Sequence, residues 1–233
     1  FLRPRTEKVG DLGQEEVKRV YAREARRYEL LHHLTTRWQD TEWRRFAGWI
    51  ISASMKEKNG RQVRVLDLCT GTGLTIKEVI DVLEINNLLA GKQFEFVGVD
   101  ISSPMLHEAR RRFEQISTPT KVIFLEQDIT RLPKEMGPFN FVMQIFGIGG
   151  IPDPEYVPEK VLGVLGENGL YIVADMHYPI PELSGPYPRA KGISVAAFEN
   201  ITYLNTTIPL ALARLWGWRD PTRYYYLARF ATL

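Results

Sequence analysis

The stretch that most limits what this chain can fold into is Val65 to Thr75, VLDLCTGTGLT, in which an apolar run passes an acid and enters a glycine-rich turn. Val65, Leu66 and Leu68 read as a strand covered on both faces, which is the habit of parallel sheets. Gly71 and Gly73 permit a tight turn and let a ligand approach the backbone at the mouth of the next helix. The spacing Asp67-x-x-x-Gly71-x-Gly73 is neither the dinucleotide pattern G-x-G-x-x-G nor a P-loop, since no Gly-Lys-Ser/Thr follows. A second apolar run, FEFVGVD, ends on Asp100. An acid at the carboxyl end of a strand beside such a turn is placed to bind ribose hydroxyls.

Around this stretch, strands alternate with helices. KVIFLEQD reads as the third strand, FNFVMQIF as the fourth and GLYIVADM as the fifth. Helices are expected from about Leu74 to Leu89, from Ser103-Pro104 onward with a capping hydroxyl and an N-terminal proline, and from Pro152 to Leu165. Asp67 and Asp100 stand 33 positions apart, against roughly 20 in a compact nucleotide unit, so a loop is expected around Asn86 to Lys92. Arg110, Arg111 and Arg112 read as solvent-facing. The pattern predicts an α/β fold with a Rossmann-like, doubly wound, mostly parallel sheet and right-handed crossovers.

Both ends of the chain depart from that rhythm. After a charged tail at residues 1–13, apolar spacing predicts one helix from about Gln14 to Thr36. A second follows from about Asp40 to Lys58, with Trp43, Phe46, Trp49 and Ile50 on its apolar face. Beyond Met176, four prolines between His177 and Pro188 mark an irregular loop. A mostly apolar helical stretch from about Ile193 to Trp216 precedes one aromatic strand, TRYYYLARFA. Residues 1–60 thus read as a helical cap and 61–233 as the core, with 177–216 a substrate-side insertion.

The runs VLDLCTGTGLT, VGVDISSPML, FLEQDITRLP, FNFVMQIFGIGG and ENGLYIVADM resemble, in order, the successive motifs of class I S-adenosylmethionine-dependent methyltransferases. VKRVYAREARRYELLHHLTTRWQDTEWRR is similar to the opening of the ubiquinone/menaquinone-biosynthesis C-methyltransferases. Tyr21, Ala25, Tyr28, Leu31 and Trp43 fall on matching positions, and FGIGGIPD and ITYLNTTI resemble later motifs of that group. The departures are Glu29 for an Asp, His33 for an Asn or Asp, Cys69 for the first glycine of G-x-G-x-G, and Gly149-Gly150 for an Arg-Asn pair. Losing that arginine removes a planar anion-binding fork, so a quinone acceptor does not follow from the sequence. The class I fold closes with an antiparallel hairpin. One of its strands is either hidden in the apolar stretch before Trp216 or missing.

The resemblance implies S-adenosyl-L-methionine as cofactor. Asp67 would orient the loop, Cys69, Thr70, Gly71 and Gly73 would shape its approach to the methionine half, and Tyr28 would cover that end. Asp100 would take the ribose hydroxyls, Ile101 and Met105 would flank the adenine, and Asp128 with Ile129 would meet its edge. Gln144 and Phe146 would sit near the reacting methyl. Methyl transfer from a sulfonium relies on alignment more than on acid–base help. If a base is needed, His33 and His177 are the candidates, since histidine titrates near neutrality.

Composition bounds the rest. The single Cys69 excludes an internal disulfide and points to a reducing, cytoplasmic setting, and four His without a Cys pair argue against a metal site. Residues 1–64 hold 15 Lys and Arg against 9 Asp and Glu, net +6, while the remainder is net −4. That basic section reads chiefly as solvated helix faces and carries no nucleic-acid motif, so no nucleic acid is expected, though peripheral contact with an anionic membrane stays open. No apolar run is long enough to span a bilayer. No signal peptide is expected here, and Phe1 is not an initiator, so an upstream segment stays open. The leading expectation is methyl transfer to a small apolar or aromatic acceptor. A non-catalytic cofactor-binding scaffold and an RNA or protein methyltransferase are the alternatives.

Overall fold

The computed structural model describes residues 14–25, 27–36, 38–55, 62–147, 151, 157–177, 194–196, 202–203 and 225–232. Its helices are α1 (Gln14–Glu24), α2 (Tyr28–Thr36), α3 (Gln39–Met55), α4 (Leu74–Ile85), α5 (Ser103–Glu114) and α6 (Val157–Val164). Its strands are β1 (Gln62–Leu68), β2 (Gln93–Asp100), β3 (Lys121–Glu126), β4 (Phe139–Ile145), β5 (Leu165–His177), β6 (Ser194–Ala196), β7 (Thr202–Tyr203) and β8 (Tyr225–Thr232).

One sheet runs β3-β2-β1-β4-β5-β8-β6, with β7 also on β8. β1 to β5 pair in parallel, and β8 is antiparallel to β5, β6 and β7. Strand order reverses at β1, between β2 and β4, which is where open α/β sheets bind ligands.

Side-chain alternation along the strands divides the core into two layers. Val63 and Val65 of β1, Phe141 and Met143 of β4, and Leu170 and Ile172 of β5 pack with α3, α4 and α5 through Trp43, Ala47, Ile51, Ile76, Leu83 and Leu106. Leu66, Leu68, Val142 and Tyr171 face the other way, onto Ile129, Val157, Val161 and Val164. α3 lies close on α4 because Gly48 has no side chain. A Cβ there would stand 2.8 Å from Val82 Cβ.

Several expectations change. The helix expected over 14–36 is two, α1 and α2, because the halves have different partners: α1 meets α5 and α2 meets α3. On α3 the buried stripe is Trp43, Ala47, Ile51 and Met55, at four-residue steps, with Phe46 and Ile50 against it. Trp49 falls off that stripe and is 46% exposed. α4 stops at Ile85, where Asn86 Nδ2 donates to the Val82 carbonyl and Asn87 takes a positive φ. α5 begins at a Ser102 N-cap whose hydroxyl makes no capping bond. The expected capping hydroxyl, Ser103, instead donates to Glu126. Arg112 does not face solvent freely: it donates to the Glu29 carboxylate and, at 3.1 Å, to the Thr72 carbonyl.

The largest change is after β5. Where a helix is expected from about 193 to 216, residues 194–196 and 202–203 are strands paired with β8. Strand pairing along β8 satisfies their backbone groups in a stretch whose apolar content alone fits helix or strand. The closing antiparallel partner was therefore hidden in the apolar stretch. The proline loop at 178–188, the Gly149-Gly150 pair and most of 197–224 lie outside the described residues. Among the described residues no helix is long and apolar enough to cross a membrane.

Candidate functional site

The glycine turn leaves β1 through three residues with positive φ: Cys69 (54°), Gly71 (56°) and Gly73 (76°). The left-handed region costs a residue with a Cβ about 1–2 kcal/mol, and this is why glycine suits the place Cys69 holds. Asp67, buried at the strand end, accepts the Thr70 hydroxyl at 2.6 Å, and the Thr70 N–H donates to the Val99 carbonyl at 3.0 Å. Gly73 caps α4 and lets the turn sit against α5 and β3; a Cβ there would lie 3.2 Å from Ala109, Phe113 and Phe124. Gly98 gives the same closeness on β2, where a Cβ would meet Thr70 Oγ1 at 2.8 Å.

At the end of β2, Asp100 turns back onto this loop. Its Oδ2 accepts the Gly71 N–H at 2.9 Å and its Oδ1 the Ser102 N–H at 2.8 Å. Burial raises its pKa against the pull of those backbone donors. Asp67 goes further: burial pushes it up to about 7, opposed by the Thr70 hydroxyl and the charge of Arg44.

An open cleft lies over these strand ends. Of the residues the sequence nominates, it gathers Tyr28, Cys69, Thr70, Gly71, Asp100, Ile101, Met105, Asp128, Ile129 and Phe146. Asp128 uses Oδ1 to cap a short 3-10 turn, accepting the Thr130 N–H and hydroxyl at 2.9 and 2.7 Å. Asp67 and Gly73 shape the loop from behind and do not line the cleft. Gln144 does not line it either, which corrects the expectation that it reaches the reacting end. It shares the even-numbered face of β4 with Val142, is 1% exposed and accepts the hydroxyl of Tyr171, which lies in that same layer. Ile145 and Phe146 line the cleft instead.

Of the two candidate bases, His33 does not line the cleft. His33 packs flat against Trp38, and its Nδ1 is 2.8 Å from Asp40 Oδ1. His177 ends β5, and its side chain lies outside the described residues. Sequence reasoning missed the adjacent His32, a buried ring stacked on Tyr28 at 5.5 Å and edge-on to Phe146 at 4.7 Å. Burial lowers its pKa, with Asp40 opposing. Burial would raise Asp40 itself, but His32, His33 and Arg44 outweigh that and hold it below the usual carboxylate range.

Sequence reasoning also missed Arg44 and Thr72, which line the cleft together with Tyr21, one of the positions matched to the resembled group. The available signal for Arg44 was an acid–base pair, Asp40 and Arg44, at helical spacing beside the apolar stripe.

An S-adenosyl group fits this frame on its own terms. Gly71 faces the cleft with open space where a Cβ would stand, the nearest atom being Cys69 O at 4.0 Å. Beside it, Asp100 keeps acceptor capacity on a carboxylate already fixed by two N–H groups.

A parallel sheet ordered β3-β2-β1-β4-β5 and closed by an antiparallel strand, with a glycine turn and an acid at the reversal of strand order, is the class I methyltransferase fold. Solved structures agree on the fold. YcgJ from Bacillus subtilis superposes with a TM-score of 0.57 at 13% identity, covering 80% of this chain and 97% of its own. The plantazolicin methyltransferase BpumL, in complex with SAH, gives 0.55 at 14% identity over 93% and 95%. The chain belongs to the ubiE/COQ5 methyltransferase family, whose profile matches residues 9–190. A demethylmenaquinone methyltransferase from Thermus thermophilus is 32% identical over 70% of this chain and 66% of its own length. A ubiquinone/menaquinone biosynthesis C-methyltransferase from Pseudomonas savastanoi is 28% identical over 72% and 61%. The matches thus span just under two thirds of those relatives' lengths.

Proposed function

We propose that this protein transfers a methyl group from S-adenosyl-L-methionine to a small apolar or aromatic acceptor. The observation that carries the reading is the Gly71 N–H bound to Asp100 within one cleft at the reversal of strand order. S-adenosyl-L-methionine, when bound, supplies a methyl group activated by its sulfonium. Asp100 holds the ribose hydroxyls, Ile101, Met105 and Ile129 enclose the adenine, and Asp128 meets its edge. Gly71 and Cys69 bring backbone against the methionine half, with Tyr28 over it. The chain's main contribution is alignment, because a sulfonium methyl needs an in-line nucleophile held close.

The acceptor side is apolar. Ile145, Phe146, Ile151 and the aromatic rings of Tyr21 and Tyr28 form much of the remaining wall. A quinone-type ring suits that wall and is what the relatives' names indicate for those proteins. The amino-terminal helices α1 to α3 act as a cap over this side, which the presence of Tyr21, Tyr28 and Arg44 in the cleft supports.

The test is calorimetric titration with S-adenosylhomocysteine, then an acceptor screen with a heavy-methyl cofactor read by mass spectrometry. Binding in the micromolar range and a product heavier by one labelled methyl are expected. No binding at millimolar ligand would end the reading, and binding without turnover on any ring acceptor would favour a scaffold role.

A further inference from the structure

Among the described residues lining the cleft, Arg44 is the one cation; it shares the wall with the acids Asp100 and Asp128. Its side chain is 6% exposed. A guanidinium buried so deeply needs partners for its donors. Nη1 donates to Thr75 Oγ1 at 2.6 Å, and the guanidinium carbon lies 5.1 Å from the centre of the Phe146 ring. Nε is buried without a hydrogen bond, 3.7 Å from Asp40 Oδ2. Asp40 is itself shared, with His33 Nδ1 at 2.8 Å and His32 Nδ1 at 3.3 Å. Thr75, Phe146 and Asp40 therefore hold Arg44 in place without satisfying it.

The sheet order says what it can reach. Asp100, Ile101, Met105 and Asp128 follow β2 and β3, whereas Phe146 follows β4, on the far side of β1. Arg44 packs over Phe146, so it stands on the β4 side. A ligand that anchors a ribose on Asp100 and crosses the glycine turn arrives at Arg44 with its other end.

We infer that Arg44 is the anion-recognition group of this cleft and binds a carboxylate or other anionic oxygen presented on the β4 side. The inference rests on the function proposed above. Two sources share this chemistry: the amino-acid carboxylate of the cofactor, and an ionised oxygen on the acceptor. A planar fork fits either, and its fixed donors make it selective for them over neutral groups.

The experiment titrates the full chain and Arg44→Met with S-adenosylhomocysteine, with its decarboxylated analogue, and then with 2-naphthoate and 2-naphthamide in the presence of S-adenosylhomocysteine. If the carboxylate is the cofactor's, the wild type prefers S-adenosylhomocysteine to the decarboxylated compound by at least tenfold. Arg44→Met then loses that preference while binding the decarboxylated compound as the wild type does. If the anion is the acceptor's, S-adenosylhomocysteine affinity is unchanged, and at least a tenfold preference for naphthoate over naphthamide disappears in the variant. Should Arg44→Met fail to fold, Arg44→Lys keeps the charge, removes the fork, and is expected to lose most of the same preference. A folded variant that matches the wild type on all four ligands overturns the role of Arg44. A wild type that binds no S-adenosylhomocysteine overturns the functional reading and this inference with it, so the two failures are distinct.

Discussion

Two acids that flank the glycine turn, Asp67 in β1 and Asp100 at the end of β2, have different duties. Asp67 has no outlet to the cleft and holds the turn through the Thr70 hydroxyl. In the unfolded chain it would ionise near 3.8, but in the fold it keeps its proton up to about 7. Between those values the folded state binds the extra proton, so stability from this group falls as pH rises across the window and is fully lost above it. Asp67→Asn cannot ionise. The urea midpoint of the wild type relative to this variant should therefore drop between about pH 4 and 7 and be level outside that range. Parallel curves would refute the assignment. Asp100 instead lines the cleft. Asp100→Ala should weaken S-adenosylhomocysteine binding by roughly 1.5–3 kcal/mol, the range for a hydrogen bond to a charged group. Its helix content should stay unchanged, because the residue ends a strand outside the packed core. Titration calorimetry beside circular dichroism reads both.

At the scale of elements, the position of Arg44 is decided by how α3 seats on α4. Their axes come close at Gly48, whose missing Cβ would meet Val82 at 2.8 Å and Val79 Cα at 3.3 Å. Gly48→Val should push α3 outward and destabilise the fold by roughly 1–3 kcal/mol, as overpacking does. Chemical denaturation measures the loss, and a wild-type midpoint would show that the helices are not so closely seated. α2 is tied down separately. Glu29 in its first turn accepts from Arg112 of α5 and from the Thr72 hydroxyl of the glycine turn. The Glu29 carboxylate thus joins α2 to the glycine turn and to α5.

For the whole molecule, a ligand that binds the folded chain alone stabilises it by mass action. Saturating S-adenosylhomocysteine at 100 times its Kd is worth about 2.7 kcal/mol. For a chain of this size that corresponds to a rise of roughly 5–10 °C in Tm, measurable by a thermal scan, while adenosine at equal concentration should give less. An absent shift would mean that the cleft does not hold the cofactor. Five parallel strands, the glycine turn and Asp100 were legible in the sequence, because buried parallel strands must be continuously apolar and a left-handed turn selects glycine. The family resemblance also nominated Tyr28, Met105, Asp128 and Phe146, which the fold gathers into one cleft. Other features were decided by tertiary structure. Gln144 is taken up by the Tyr171 hydroxyl of β5 and does not reach the cleft that its neighbours Ile145 and Phe146 line, a cross-strand contact that local pattern does not reveal. The partners of α1 and α2 break what reads as one helix, and pairing with β8 turns part of an apolar stretch into strand. Which of two adjacent histidines faces Phe146, and that Arg44 is buried at all, depends on where α2 and α3 land on the sheet. The period of a sequence fixes which side of an element is apolar, but a polar residue at the margin of that side takes its environment from the neighbour it meets.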